Sequence, residues 1–305
     1  MLPQSTNTIL MVRPACFGYN PETADSNAFQ VKSGEKEIDI HLRALAEFDN
    51  MVAILRDKGV KVTVVQDQLV PNKPDAIFPN NWMSTHHDGT LVLYPMMAAN
   101  RRLERLNRVV ELISEKFRIE QTVDFSSSEQ KGRFLEGTGS IVFDHVHRIA
   151  HACRSQRMDV SLLNRVCDRI NYEPLVFDAV DTNGLPIYHT NVLMAIGSGF
   201  VIICSDSIVH HKNKVLETLA KTDRKIIDIT YTQMLQFAGN MLELVDSDNQ
   251  KLLILSASAY GALAERQKAT ISERMALVPI DISTIEKHGG GSVRCMMAEI
   301  FLPNK

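Results

Sequence analysis

The feature that most constrains the fold of this 305-residue chain is a unit that recurs five times along it. Residues 8–12 are β-rich, residues 39–57 carry apolar side chains at helical spacing (Ile40, Leu42, Leu45, Phe48, Val52, Leu55), and residues 60–65 alternate like a strand. Gly59 sits just past that helix, where a left-handed cap is wanted. A second pass runs from 76–85 through a His-Asp-Gly turn to 91–94, then a charged amphipathic helix over 101–117 and a strand over 119–125. The third has strands at 140–143 and 149–152, a helix at 160–170 and a strand at 175–177. The fourth has 191–196, a Gly-Ser-Gly turn, 200–204, a helix at 212–220 and a strand at 226–229. The fifth has 241–245, an Asp-rich turn, 252–256, a helix at 259–267 and a strand at 276–279.

Each hairpin–helix–strand copy is too small to bury its own apolar face, so the copies must pack on one another. A doubly wound parallel sheet also alternates strands and helices, but it needs a helix between every pair of strands, and here paired strands are joined by tight turns. The pattern therefore predicts an α/β fold of ββαβ modules in a ring, one domain over 1–305, with the module openings converging near the axis. No Pro/Gly/Ser linker or composition shift divides the chain.

Composition narrows the function. With Lys+Arg 33 against Asp+Glu 36, the formal charge of −3 gives no bulk attraction to phosphate backbones or anionic membranes. No run is long and apolar enough for a bilayer. The five cysteines form no CxxC pair, so neither a disulfide framework nor a zinc knuckle is suggested. The expectation is a soluble, reduced, cytoplasmic protein that binds neither nucleic acid nor membrane; its oligomeric state is not legible.

The unusual residues stand at the module openings. They read Lys-Pro-Asp-Ala-Ile-Phe-Pro-Asn-Asn-Trp (73–82), Leu-Glu-Gly-Thr-Gly-Ser (135–140), Tyr-His-Thr-Asn-Val (188–192), Phe-Ala-Gly-Asn-Met (237–241) and His-Gly-Gly-Gly-Ser-Val-Arg-Cys-Met (288–296). Polar groups entering a core are costly unless paired or used, and recurrence at equivalent points favours use. The triple glycine lacks the Walker lysine and the GxGxxG spacing; it reads as a place where backbone approaches a ligand closely. Arg294 beside Cys295 would favour a thiolate if its side chain turned inward. Cys153, Cys167 and Cys204 read as small buried hydrophobes, and Cys16 stays open. Of the ten histidines, His86, His87, His145 and His147 fall at turns and read as solvated. His189 opens a module at the place equivalent to Glu136. A Cys, a His and a carboxylate from distant positions fit nucleophilic catalysis with a proton shuttle, and one Cys plus one His without short spacing is a weak zinc signal.

At these residues the chain resembles the guanidino-group-modifying, or amidinotransferase, superfamily over essentially its whole length. Gly-Gly-Gly-x-x-Arg-Cys-Met is the most specific part, followed by the order Glu136, His189, Cys295. Phe-Pro-Asn-Asn-Trp looks most like the citrulline-utilisation branch, related to arginine deiminases. The resemblance implies a five-bladed α/β propeller (pentein) and covalent thiol chemistry without metal or organic cofactor. Carried over, Cys295 would be the nucleophile, His189 the general acid/base and Glu136 the carboxylate on substrate nitrogen. Asp75 would lie near the substrate, with Asn80, Asn81, Asn191 and Asn240 as further binding residues. Arg157, in Ser155-Gln156-Arg157, would grip a substrate carboxylate; a solvated arginine at a helix start is an equal reading.

Two departures bear on the substrate. Deiminases present an Asp two residues after the histidine where this chain has Asn191, and some relatives have an acid where it has Asn80 and Asn81. Carboxylates pair with a cationic guanidinium, whereas an amide suits a neutral ureido group. The expectation is therefore an amino-acid hydrolase, citrulline to ornithine. An amidinotransferase and a non-catalytic propeller that binds a macromolecule are the alternatives.

Overall fold

A computed structural model describes residues 2–105 and 107–305. Strand β1 (Thr8–Arg13) pairs in parallel with β2 (Lys61–Gln66). The connection is a helix, Glu37–Asp57, that buries Ile40, Ala44, Phe48, Met51, Val52 and Leu55 along one face. Beyond it Gly59 takes φ +81°, the left-handed cap that its position asked for.

The same crossover recurs in the other modules. β3 (Met83–Thr85) and β4 (Thr90–Leu93) form a hairpin, and β4 pairs in parallel with β5 (Gln121–Asp124). β6 (Val142–Asp144), β7 (Ile149–Cys153) and β8 (Glu173–Ala179) repeat it, with β11 (Ile208–His210) added at the β8 edge after β9 (Met194–Ile196) and β10 (Phe200–Ile203). β9 and β10 then pair with β12 (Lys225–Asp228), and β13 (Leu242–Val245) and β14 (Lys251–Ser256) pair with β15 (Ala276–Ile280). Every central strand thus has one antiparallel and one parallel neighbour.

The first sheet takes its antiparallel strand from the other end of the chain. β16 (Ala298–Glu299) pairs with β1, placing Glu299 opposite Ile9. A two-residue strand leaves no periodicity, which is why the pattern showed the first module without its hairpin. Apolar clusters link each sheet to the next. Leu10 and Val12 pack with Met83 and Leu91, Val92 with Phe143 and Ala150, Leu175 and Phe177 with Val201, and Ile202 with Leu253 and Leu255. Ile254 and Leu244 then pack with Ile9 and Met11, returning to the first sheet.

Several local expectations change. The helix expected over 101–117 is two, Ala99–Arg102 and Asn107–Lys116, and residue 106 lies outside the described residues. The short first turn is pinned inward by Arg101, which bonds Glu104 and Asn81. In contrast to the solvated reading, His86 and His145 are buried at 3% and 4% exposure. Their turns face other modules, His86 packing on Phe143 and His145 on Phe301, while within their own modules His86 Nε2 lies 2.9 Å from Ser84 Oγ and His145 Nδ1 2.7 Å from Tyr172 OH. Burial pushes His86 down to about 4. No helix among the described residues is long and apolar enough to cross a membrane.

Because β16 and the buried Ile300, Phe301 and Leu302 complete the first sheet, a chain ending at Met297 forfeits roughly 1.5–3 kcal/mol for each of those side chains. Circular-dichroism melts should show the truncated chain unfolded or melting far below the parent; an unchanged transition contradicts this closure.

Candidate functional site

Four of the five module openings are single helical turns: Pro79–Asn81, Gly137–Ser140, Thr190–Leu193 and Val293–Met296. The turns crowd together. A Cβ on Gly137 would meet the Asn80 carbonyl oxygen at 2.4 Å, and one on Gly139 would meet Asn81 Nδ2 at 2.5 Å and His189 at 2.7 Å. Glu136 and His189 occupy the N-cap positions of their turns, yet neither side chain caps its own helix. Both are left free to point at each other.

Glu136 Oε2 lies 2.8 Å from His189 Nε2 and accepts from Arg157 Nη1 at 3.3 Å, while Oε1 accepts from the Met97 amide at 3.0 Å. Burial alone would raise this carboxyl, but the Arg157 guanidinium and the His189 bond outweigh it and hold Glu136 well below the usual carboxylate range. Burial pushes His189 down to about 4, with Glu136 only partly opposing. At neutral pH the pair is therefore a carboxylate and a neutral imidazole. The Nε2–H then donates to Glu136 and Nδ1 is left as an acceptor. Arg157 is buried, not solvated. Its guanidinium lies over the Tyr188 ring at 4.9 Å and donates to Ser26 Oγ at 2.6 Å.

Cys295 faces two amides. Asn240 Nδ2 lies 3.3 Å and Asn191 Nδ2 3.5 Å from Sγ. The Arg294 side chain does not turn toward the thiol: it donates to the Met297 carbonyl and to Glu299, and it lines a separate cavity. Its neighbour in sequence faces the other way because the turn sends successive side chains to different sides. The glycine run, read as a place for close approach to a ligand, lines the Cys295 cavity and packs closely on protein side chains. Gly290 holds φ +63°, and Cβ atoms on Gly289 and Gly291 would stand 2.9 Å from the Phe78 ring.

Asp75 is buried and accepts from Asn20 Nδ2 at 2.7 Å, with Arg101 Nε at 3.8 Å. Burial raises its pKa, against the opposing pull of Arg101. Asn81 Nδ2 donates to Asn80 Oδ1 and Asn81 Oδ1 accepts from Arg101 at 2.8 Å, so the paired amides brace one wall. The cavity between Asp75, Asn81, Arg157, His189, the glycines and Cys295 holds about 20 Å³, room for roughly one water.

Sequence reasoning missed Arg101 and the segment that roofs the cavity. Arg101 sits in a basic stretch that reads as a solvated helix face; its only signal is an acid three residues on, Glu104, which it grips bidentately. The roof is the segment carrying Asn20, Thr23, Ser26 and Asn27, which bond Asp75, Arg157 and the Gly289 carbonyl. Short polar residues in a loop carry no pattern that would reveal such contacts.

Comparison with known proteins follows this geometry. A family profile described as N,N dimethylarginine dimethylhydrolase, eukaryotic, matches residues 13–302. The comparison with curated protein sequences finds no match. Among solved structures, the N-terminal domain of ArgZ, an arginine dihydrolase from the ornithine-ammonia cycle in cyanobacteria, superposes with a TM-score of 0.76 at 16% identity. That match covers 97% of this chain and 98% of that one. Unliganded AgrE gives 0.76 at 18% identity over 98% of this chain and 40% of its own, so this chain spans about two-fifths of full-length AgrE. A dimethylarginine hydrolase (DDAH) from Pseudomonas aeruginosa, complexed with citrulline, gives 0.64 at 14% identity over 97% of this chain and 100% of its own. The likenesses establish the α/β fold these enzymes share.

Substituting Glu136→Gln leaves Arg157 buried without its carboxylate, which costs about 3 kcal/mol. Because folding depresses the Glu136 pKa, that contribution is present above the ordinary carboxylate range and is lost as pH falls through and below it. Urea unfolding should show a parent–variant gap of that size at pH 7 that narrows toward pH 3; a gap that widens on acidification contradicts the charge assignment.

Proposed function

Because this chain belongs to the N,N-dimethylarginine dimethylhydrolase family, whose members hydrolyse C–N bonds of guanidino-type groups, we propose that it is a cysteine hydrolase that converts citrulline to ornithine. The observation that carries the choice of substrate is the neutral Asn191 amide beside the Cys295 sulfur, whose Oδ1 is buried without a partner. The nearby carboxylates are already engaged, Glu136 behind His189 by Arg157 and that histidine, and Asp75 in the cavity wall by Asn20 and Arg101. A neutral ureido group suits amides, whereas a guanidinium calls for a free carboxylate.

In this reading the Cys295 proton passes to His189 Nδ1 and the thiolate sulfur bonds to the ureido carbon. Glu136, held by His189, Arg157 and the Met97 amide, orients the His189 ring, and the unpartnered Asn191 Oδ1 receives a substrate N–H. The C–N bond to the side-chain nitrogen breaks as His189 returns its proton there, releasing ornithine and leaving a carbamoyl group on sulfur. Water, deprotonated by His189, then adds to that carbon, the C–S bond breaks as His189 returns the proton to sulfur, and carbamic acid leaves, decomposing to ammonia and carbon dioxide. Arg157, whose Nε is buried without a partner, is the guanidinium available to the substrate carboxylate. The cavity as it stands, about 20 Å³, is too small for citrulline, so entry requires the segment carrying Asn20 to Asn27 to shift. The five sheets are the blades of a five-bladed α/β propeller, acting as one catalytic domain over 1–305. Five free cysteines fit a reducing, cytoplasmic setting.

Arginine is the second reading, favoured by the likeness to ArgZ and AgrE; there the same attack would release ammonia from the guanidinium. A panel of citrulline, arginine and methylarginines with product identification separates the two. Ornithine from citrulline supports the proposal, and turnover confined to arginine or methylarginines refutes it.

His189→Ala should lower kcat by ~10²–10⁴-fold with the fold intact. Burial places His189 at about 4, so the acid limb of kcat/KM should lie nearer pH 4 than the ordinary imidazole range. A limb at pH 6.5 contradicts a His189 pKa depressed by burial.

A further inference from the structure

The motif Phe-Ala-Gly-Asn-Met at residues 237–241 has no part in the proton path above, yet it is built with unusual care. Phe237 takes φ +60°, a left-handed conformation rare for a bulky residue, and its carbonyl accepts from the Asn240 amide at 2.8 Å. Gly239 stands so close to the neighbouring module that a Cβ there would lie 2.2 Å from the Val192 carbonyl oxygen. No other residue fits without pushing the two modules apart. The result of both constraints is to place the Asn240 side chain, 1% exposed, against Cys295.

The orientation of that amide is fixed. Asn240 Nδ2 donates to the Asn191 backbone carbonyl at 3.0 Å. Turning the amide over would set Oδ1 against that carbonyl, oxygen facing oxygen. The –NH₂ therefore faces Asn191, and its second hydrogen is left for the Cys295 sulfur at 3.3 Å, nearer than Oδ1 at 3.7 Å. Asn191 adds a longer contact to the same sulfur, 3.5 Å, and its own Oδ1 is buried without a partner. A fixed N–H donor rewards negative charge on the atom it faces.

We infer that Asn240 is a catalytic residue that acts on the nucleophile and not on the substrate: its amide donates to the Cys295 sulfur and favours the reactive anion. The two amides at the sulfur then divide their work. Asn240 is committed to sulfur and backbone, while the unpartnered Asn191 oxygen is the one free to accept a substrate N–H. This deepens the proposed function and rests on Cys295 as the nucleophile.

The test reads sulfur reactivity without substrate. Iodoacetamide alkylation of Cys295 is followed by peptide mass spectrometry across pH in the parent, Asn240→Ala and Asn240→Asp, with thermal melts alongside. Asp keeps the volume and guards against a cavity effect in Ala. Loss of a hydrogen bond to a charged group should slow alkylation at pH 7 by roughly tenfold or more in Asn240→Ala. Its pH profile should move to higher pH, further still in Asn240→Asp, with kcat falling and KM for citrulline held within about twofold. An unchanged alkylation profile with raised KM makes Asn240 a substrate contact and overturns the inference. Unchanged alkylation and kinetics make it a packing residue and overturn it equally. A parent whose Cys295 resists alkylation defeats the nucleophile reading itself, whereas selective alkylation without citrulline turnover defeats only the substrate.

Discussion

The Glu136 carboxylate is the joint on which the centre of this molecule depends. It is buried, yet it accepts from Arg157, His189 and the Met97 amide. Those partners come from the second, third and fourth modules, and through Arg157 the joint reaches Ser26 of the roof. A buried charge is tolerable only when its partners are fixed. The partners are held in turn: Arg157 rests on Tyr188, whose hydroxyl donates to the Gly290 carbonyl at 2.8 Å. A single ionised group thus ties the module openings, the glycine run and the roof into one arrangement.

That arrangement also sets the chemistry. A carboxylate that keeps its charge, next to an imidazole that burial keeps neutral, supplies a base with a defined tautomer. The thiol stands apart from this charge pair, among amides. In the proposed function, the acid–base groups and the nucleophile thereby have different surroundings.

Much of this was legible in the sequence because the repeat is strongly periodic. The helices at 160–170 and 212–220 have the bounds that their spacing indicates, Val160–Ile170 and Lys212–Ala220, the first capped by Asp159 and ended by left-handed Asn171. Glu136, His189 and Cys295 stood out as ionisable residues beside apolar strands, and the fold brings Glu136 into contact with His189, which lines one cavity with Cys295. What stayed illegible depends on tertiary contact. Burial of His86 and His145 follows from neighbouring sheets, not from their own turns. Arg101 looks like any helix-surface arginine until Asn81 and Glu104 are seen around it. The pairing of β16 with β1 spans the whole chain, a separation that local pattern does not encode.

The central claim is that Cys295 carries the carbamoyl group of a neutral ureido substrate. Rapid acid quenching of the protein with citrulline, followed by peptide mass analysis, tests it most directly. The account predicts a transient adduct of one carbamoyl group confined to the peptide containing Cys295, lost on longer incubation as ornithine accumulates. Ornithine formation without any adduct on that peptide, or an adduct on another cysteine, would contradict it.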